Sequence, residues 1–458
     1  MSNASEGGDS GSATFCGNDV PLPTHGIASY EKKGEDCVAV TVGPDEAVYA
    51  VFDGHGGSSL SRACASHAWR RENLVERFWK LDEKLGPRRL SEGTTASVLV
   101  VDRPEGGGGS RVTCAWVGDS QIMEIDMLAP EANAAFFSEA HAAGNDREVA
   151  RLARQWACRD AFAASRPGGA EDGAAFHARA LAAAGPVALD AADRDLLARS
   201  MEYERRVDAA LAAAAPPHLT RCRSLVAQRL NEWTGQRAGP LVVEATWRDE
   251  AAGRVVVGAS TSVTRSVGDW DSSRGLVPEP GTRTTLVRDG EFRRYVVASD
   301  GLWAYASSKA VAKLAHDRDH AYDPQECAHL LLELVRRATA RRCASTSHAF
   351  LDDTTILVVD VLPAPDATER LKPSFARKSP FKASRKSLDA LLGSFSRSMS
   401  FGKLSRSNSA ASLDSAGSRD KPRSAGDAPR SASTLTSKTG SSAPTKFWGR
   451  KKSASHDH

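Results

Sequence analysis

The sequence predicts a mixed α+β domain, and three observations predict it. Six short runs rich in Val, Ile, Thr and aromatic residues recur between Cys37 and Val361. Two longer segments carry apolar residues at three- and four-residue spacing. Acidic residues close or open several of the strand-like runs, at Asp53, Asp119, Asp300 and Asp352.

The strand readings, in order, are "CVAVTVG", "AVYAVFD", "TTASVLVVD", "RVTCAWVG", "RRYVVASD" and "DTTILVVDV", short β-branched runs bounded by turn residues. "SSLSRACASHAWRRENLVERFWKL" and "PQECAHLLLELVRRATARR" read as helices, each with one apolar stripe. Residues 1–25 are rich in Gly and Ser and read as a disordered segment. Residues 26–361 hold the ordered domain. Within it, about 154–244 is Ala-rich and reads as two or more helices inserted between core strands. Residues 362–458, rich in Ser, Lys and Arg with few large apolar side chains, have a disordered composition.

Charge is unevenly placed. The net +3 of the 458-residue chain hides a tail from Leu362 onward with 19 Lys and Arg against 7 Asp and Glu, which leaves the body at −9. An acidic body suits a cation site, and a basic tail suits an acidic partner. No run of eighteen apolar residues exists, and the N-terminus lacks a basic region followed by an apolar core, so neither a membrane span nor a secretory signal is expected. Eight scattered cysteines without a C-x-x-C pair point to a reducing, intracellular compartment, cytoplasmic or nuclear. They also argue against a thiolate zinc site.

One acid at a strand end is ordinary turn chemistry, and Asp53-Gly54 alone supports no more than that. Several such sites in one domain, with Glu35 and Asp36 just before the first predicted strand, suggest converging carboxylates. Oxygen ligands of this kind suit Mg²⁺ or Mn²⁺, ions that keep waters and can activate one as a nucleophile. Gly54 and Gly301 beside the acids let the backbone approach closely. There is no H-E-x-x-H, no Walker loop and no G-x-G-x-x-G between strand and helix, so a zinc protease, an NTPase or a dinucleotide enzyme is not expected.

Six blocks occur in a fixed order: "VFDGHGG", "EGTTASVLV", "AWVGDS", "SVTRSVGDWD", "VVASDGLW" and "DDTTILVV". Together they resemble the signature blocks of the metal-dependent serine/threonine protein phosphatases of type 2C. "SYEKKGEDCVAV" resembles that family's first block, in the form of a plant subgroup. "SEAHAAGNDREVARL" resembles its block with a His and, seven residues on, a Glu. The resemblance covers about 26–361.

It implies a four-layer α-β-β-α sandwich of two antiparallel sheets flanked by helix pairs, with two Mg²⁺ or Mn²⁺ ions at one end. By position, Asp53 bridges both ions, Gly54 offers its carbonyl, and Asp300 and Asp352 are further ligands. Glu35 and Asp36 support an ion or its waters, and Asp119 belongs to a third site. His55 is the general acid for the leaving seryl or threonyl oxygen of a phosphoprotein substrate. Asp353 is expected to brace a strand start, Thr94 and Thr95 to hydrogen-bond in the core. Arg265, His141 and Glu148 are expected to hold structure together.

Two departures stand out. Glu31 occupies the position where many family members place an arginine that grips phosphate. Lys32 and Lys33 follow, and Lys33 is the substitute counted with His55 as catalytic, although lysine is a point charge without arginine's fork. Ala304 replaces a further acid in "DGLWA", so the third ion site is impaired. The alternative reading is a catalytically weak pseudophosphatase that binds phosphoproteins as a scaffold. The chain is expected to be a monomer without a nucleic-acid role, since its tail interleaves few aromatics with its charges. In that tail, Ser387, Ser398 and Ser409 lie near basic residues and suit a kinase. Leu388, Leu391, Leu392, Phe395 and Met399 give a weak amphipathic stretch for an anionic membrane.

Overall fold

Successive side chains of a strand face opposite ways, so a strand that is apolar at every position needs cover on both faces. Several strands of this chain are of that kind, and they dictate a layered molecule. The computed structural model describes residues 23–43, 45–103, 108–145, 147–148, 151–152, 154–155, 191–214, 219–221, 225–230, 237–272, 275–317, 323–345 and 352–362. The features expected of residues 1–22 and of the basic tail lie outside the described residues.

The chain opens with β1 (Thr24–Tyr30), β2 (Cys37–Val42), β3 (Glu46–Phe52) and the two-residue β4 (Gly54–His55), then α1 (Ser59–Ala65) and α2 (Leu74–Leu85). β5 (Gly93–Thr94), β6 (Ala96–Asp102), β7 (Gly109–Val117), β8 (Gln121–Asp126) and β9 (Asn133–Phe136) follow. The insertion holds α3 (Ala191–Ala214), β10 (Leu219–Arg221), β11 (Leu225–Leu230) and β12 (Arg237–Asp249), with β13 (Arg254–Thr261) after it. The chain continues through β14 (Val267–Gly268), β15 (Gly281–Arg288), β16 (Arg293–Ala298), α4 (Asp300–Trp303), α5 (Ser308–His316), α6 (Pro324–Ser345) and β17 (Thr354–Val361).

Two five-stranded antiparallel sheets form the centre, ordered β1-β17-β16-β8-β9 and β15-β7-β6-β3-β2. Register decides which side chain faces where. The cross-strand partners Tyr49 and Leu99 point between the sheets and meet Tyr295, Val297, Leu357 and Val359 of the other sheet. Their neighbours Ala50 and Val98, also paired, point outward under Leu60, Phe78 and Leu81 of α1 and α2. α6 covers β1 and β17 on the opposite side, with α5 against it. The expected four layers are therefore present. One outward position of β16 holds Arg294, fully buried and bidentate to Asp360 at 2.6 and 2.7 Å.

Two local expectations change. The helix expected over Ser58–Leu81 is two helices, because Trp69 drops into the core between Phe52 and Phe78 and its indole N–H donates to the Cys64 carbonyl. The insertion is not helical throughout. Its described residues after α3 are strands: β10 and β11 flank β12, and β13 pairs with β12 as well.

Candidate active site and metal centre

Three sequence-distant blocks meet in a small sheet ordered β14-β5-β4. Gly54 pairs with Thr94 and His55 with Gly93, while Gly268 pairs with the same Gly93. That register sets Asp269, the residue after β14, beside His55. His55 Nε2 lies 2.8 and 2.7 Å from the two carboxylate oxygens of Asp269. Gly93 makes the meeting possible: a Cβ there would stand 2.3 Å from both Asp269 Cγ and His55 Nε2. Asp269 has a left-handed backbone, φ +58°, a conformation non-glycine residues adopt at a cost. It is held there by its N–H donating to Glu92 O at 2.9 Å and by Ser266 Oγ donating to its carboxylate at 2.6 Å. Burial works against a charged His55, but Asp269 outweighs it and lifts the imidazole's pKa above its ordinary value. Nε2–H donates to the Asp269 carboxylate, assigned from hydrogen bonding, and in the imidazolium the Nδ1–H has no partner among the described residues.

The "SVGDWD" block is visible in the sequence, but the role of Asp269 within it is not. A Gly-Asp pair reads as a turn, and only the register of three two-residue strands reveals the contact.

Five acids lie within electrostatic reach of one another. Burial pushes the Asp53 carboxyl well above the usual range, and Asp36, Asp300, Asp119 and Asp352 all add repulsion. Burial, with Asp119 and Asp352 beside it, pushes Asp300 up to about 7. Burial likewise pushes Asp36 up to about 6 and raises Asp119. Each arrives from a different element: Asp53 after β3, Asp119 after β7, Asp300 at the start of α4, Asp352 before β17. Gly54 must be glycine here, since a Cβ would lie 2.6 Å from the Glu35 carbonyl. Asp353 braces the first block, accepting the backbone N–H groups of Lys32, Lys33 and Glu35 at 2.5, 2.6 and 2.8 Å. Thr95 Oγ1 meets Ser120 Oγ at 2.6 Å, and Thr94 Oγ1 donates to the Asp53 carbonyl at 3.1 Å.

Whether this cluster suits divalent cations can be tested on its own atoms. Both carboxylate oxygens of Asp36 are buried without a hydrogen-bond partner; the Thr355 and Ser299 hydroxyls lie close enough to favour its charge without an aligned bond. A buried acceptor left unpaired is costly unless a cation meets it. The donor set is all oxygen, as Mg²⁺ and Mn²⁺ require. Among the described residues no three acid, His or Cys side chains stand at closed metal-binding spacing. Lys33 brings a positive charge to the cluster, with Nζ 2.6 Å from Asp352 and 4.0 Å from Glu35. The residues fit the ions.

Away from this centre, Glu148 is buried and joins Arg265, Arg151 and Thr264 at 2.6, 3.1 and 2.8 Å. His141 stacks on Trp116. These residues hold structure and lie outside the acid cluster. Ala304 follows α4, exposed, with its N–H on the Asp300 carbonyl.

Comparison with known proteins agrees with the geometry. The family model described as protein phosphatase 2C matches residues 29–156 and 247–346, the two stretches on either side of the Ala-rich insertion. A probable protein phosphatase 2C of Oryza sativa subsp. japonica is 26% identical over 427 residues, 87% of this chain and 73% of the relative. One of Arabidopsis thaliana is 23% identical over 372 residues, 75% of this chain and 63% of the relative. A crystal structure of serine-threonine phosphatase 2C from Toxoplasma gondii is similar at a TM-score of 0.44 and 14% identity, over 75% of this chain and 96% of that one. With the ordered blocks, the layered sheets and the acid cluster in place, the chain belongs to the protein phosphatase 2C family of metal-dependent serine/threonine phosphatases, on its plant-like side.

Proposed function

We propose that this protein hydrolyses phosphoserine and phosphothreonine in proteins at the Asp53 cluster, with two Mg²⁺ or Mn²⁺ ions and with His55 as general acid. The observation that carries the reading is the convergence of Asp36, Asp53, Asp119, Asp300 and Asp352 beside a His55 held by Asp269. Asp53 and the Gly54 carbonyl, with Asp300 and Asp352, would hold the ions, and Glu35 and Asp36 would order what surrounds them. The ions supply an activated water and neutralise phosphoryl charge. As the water oxygen bonds to phosphorus, the ester P–O bond breaks and the seryl or threonyl oxygen needs a proton. The Nδ1–H of His55 supplies it, and Asp269 on Nε2 stabilises the imidazolium beforehand. Lys33, half exposed and 2.6 Å from Asp352, would offer a cation to the substrate phosphate.

Phosphate release from a phosphothreonine peptide tests this. Turnover should need added Mn²⁺ or Mg²⁺ and vanish in Asp53→Ala, and full activity in excess EDTA would sink the idea.

A weak enzyme is the second reading. Lys33 is seated on Asp352, and Ala304 leaves Asp119 without a second acid for a third ion. If that ion speeds turnover, Ala304→Asp should raise activity at limiting Mn²⁺ and shift the metal dependence to lower concentration. Superimposable titrations of the two proteins would show that the missing carboxylate does not matter.

A further inference from the structure

Asp82 lies near the end of α2, fully buried, with no place in the chemistry above. Its Oδ1 accepts the Gly268 N–H at 2.6 Å and its Oδ2 the Trp270 indole N–H at 3.0 Å. The Tyr203 hydroxyl of α3 donates to it as well. Gly268 and Trp270 are the two neighbours of Asp269. A single carboxylate thus grips the loop on both sides of the residue that holds His55.

The surroundings are built for that grip. Trp270 packs against Gly86, where a Cβ would come within 2.1 Å of its indole nitrogen. Tyr203 meets Trp270 edge-on with ring centroids 5.9 Å apart, and Val207 and Leu211 of α3 join Trp79, Trp270 and Val277 in one apolar cluster. α3 is tied down further by Arg199, which lies over the Trp79 ring at 4.5 Å and reaches Glu279 at 3.3 Å. Burial pushes the Asp82 carboxyl up to about 7 against the opposing pull of these donors. A buried carboxylate is expensive, and a left-handed aspartate is strained. The two costs fall on consecutive layers of one structure, Asp82 under the loop and Asp269 within it.

We infer that Asp82 and Tyr203 are positioning residues for the general acid, acting through Trp270 and Asp269 on His55, so that the inserted helix α3 is a working part of proton delivery. The inference rests on the general-acid reading of His55. It also gives α3 a role beyond packing on Trp79 and Trp270: its Tyr203 ring is buried and cannot touch substrate.

The test is a leaving-group series on the full-length protein with Mn²⁺, using p-nitrophenyl and phenyl phosphate. The two have nearly the same size, but phenolate leaves less readily and needs the proton more. His55→Ala sets the reference and should raise the ratio of kcat for p-nitrophenyl over phenyl phosphate by up to ~10²-fold, the scale of general acid catalysis. Tyr203→Phe and Asp82→Asn should raise the same ratio in the same direction, by about tenfold for Asp82→Asn and less for Tyr203→Phe, a fraction of that scale. If Asp82→Asn does not fold, Tyr203→Phe decides alone. A ratio unchanged in Tyr203→Phe, with His55→Ala showing the full effect, overturns the positioning role and leaves the general acid standing. A ratio unchanged in His55→Ala overturns both. Loss of packing alone would lower both rates together and leave the ratio where it was.

Discussion

Gly93 shows how tightly the reacting centre is drawn. It carries the backbone pairs to both His55 and Gly268, and the His55–Asp269 contact lies where its side chain would be. Gly93→Ala should therefore part the pair. Overpacking of this kind costs about 1–3 kcal/mol of stability, and the loss of oriented acid should slow hydrolysis of phenyl phosphate more than of p-nitrophenyl phosphate. Equal rates for both substrates in wild type and variant would contradict the assigned role of Gly93. The acids at Asp53, Asp300 and Asp352 were legible in the sequence because each ends or begins a strand inside an ordered block. Asp269 and Asp82 were not. Asp269 reaches His55 across 214 positions of sequence through two-residue strands, and Asp82 sits in a helix pattern where an acid reads as solvated surface.

Among the elements, the loop between β13 and β14 depends on Glu148. This carboxylate is buried, which alone would raise its pKa, but the Arg151 and Arg265 guanidiniums hold it well below the usual carboxylate range. A depressed folded pKa means that the contribution to stability is fully present above the unfolded value of 4.5. It is then lost as pH falls below that value toward the folded one. Glu148→Gln strands two buried guanidiniums, so it should cost about 3–5 kcal/mol at neutral pH and flatten the fall in stability below pH 4.5. Urea unfolding at neutral pH and near pH 4 checks both halves, and an unchanged pH dependence would contradict the assignment. Arg265 and Glu148 were expected as structural, and they are.

The insertion was read less well. Its Ala-rich composition predicts two or more helices, of which α3 is one, while residues 156–190 lie outside the described residues. The strands β10 to β12 were missed because "LVAQRL" and "RAGPLVVEATWRD" mix Ala, Gly, Pro and charge in a way that masks their alternation. Removing α3 would uncover Trp79 and Trp270 and take away one donor to Asp82.

At the scale of the molecule, the sandwich brings five acids from five chain segments to one end of two sheets, each segment anchored by a strand or helix packed into the core. Their mutual repulsion is unfavourable in the folded chain, and the divalent cations proposed for the site would relieve it. The blocks made this much legible, because the family's order of strands and acids is kept from Glu35 to Asp352. Two ions sharing Asp53 is the central claim. Isothermal titration of Mn²⁺ into the full-length protein, beside Asp53→Asn, tests it most directly. The wild type should take up two ions and Asp53→Asn should bind both far more weakly, since Asp53 would serve each. Uptake by Asp53→Asn with the stoichiometry and affinity of the wild type would contradict it.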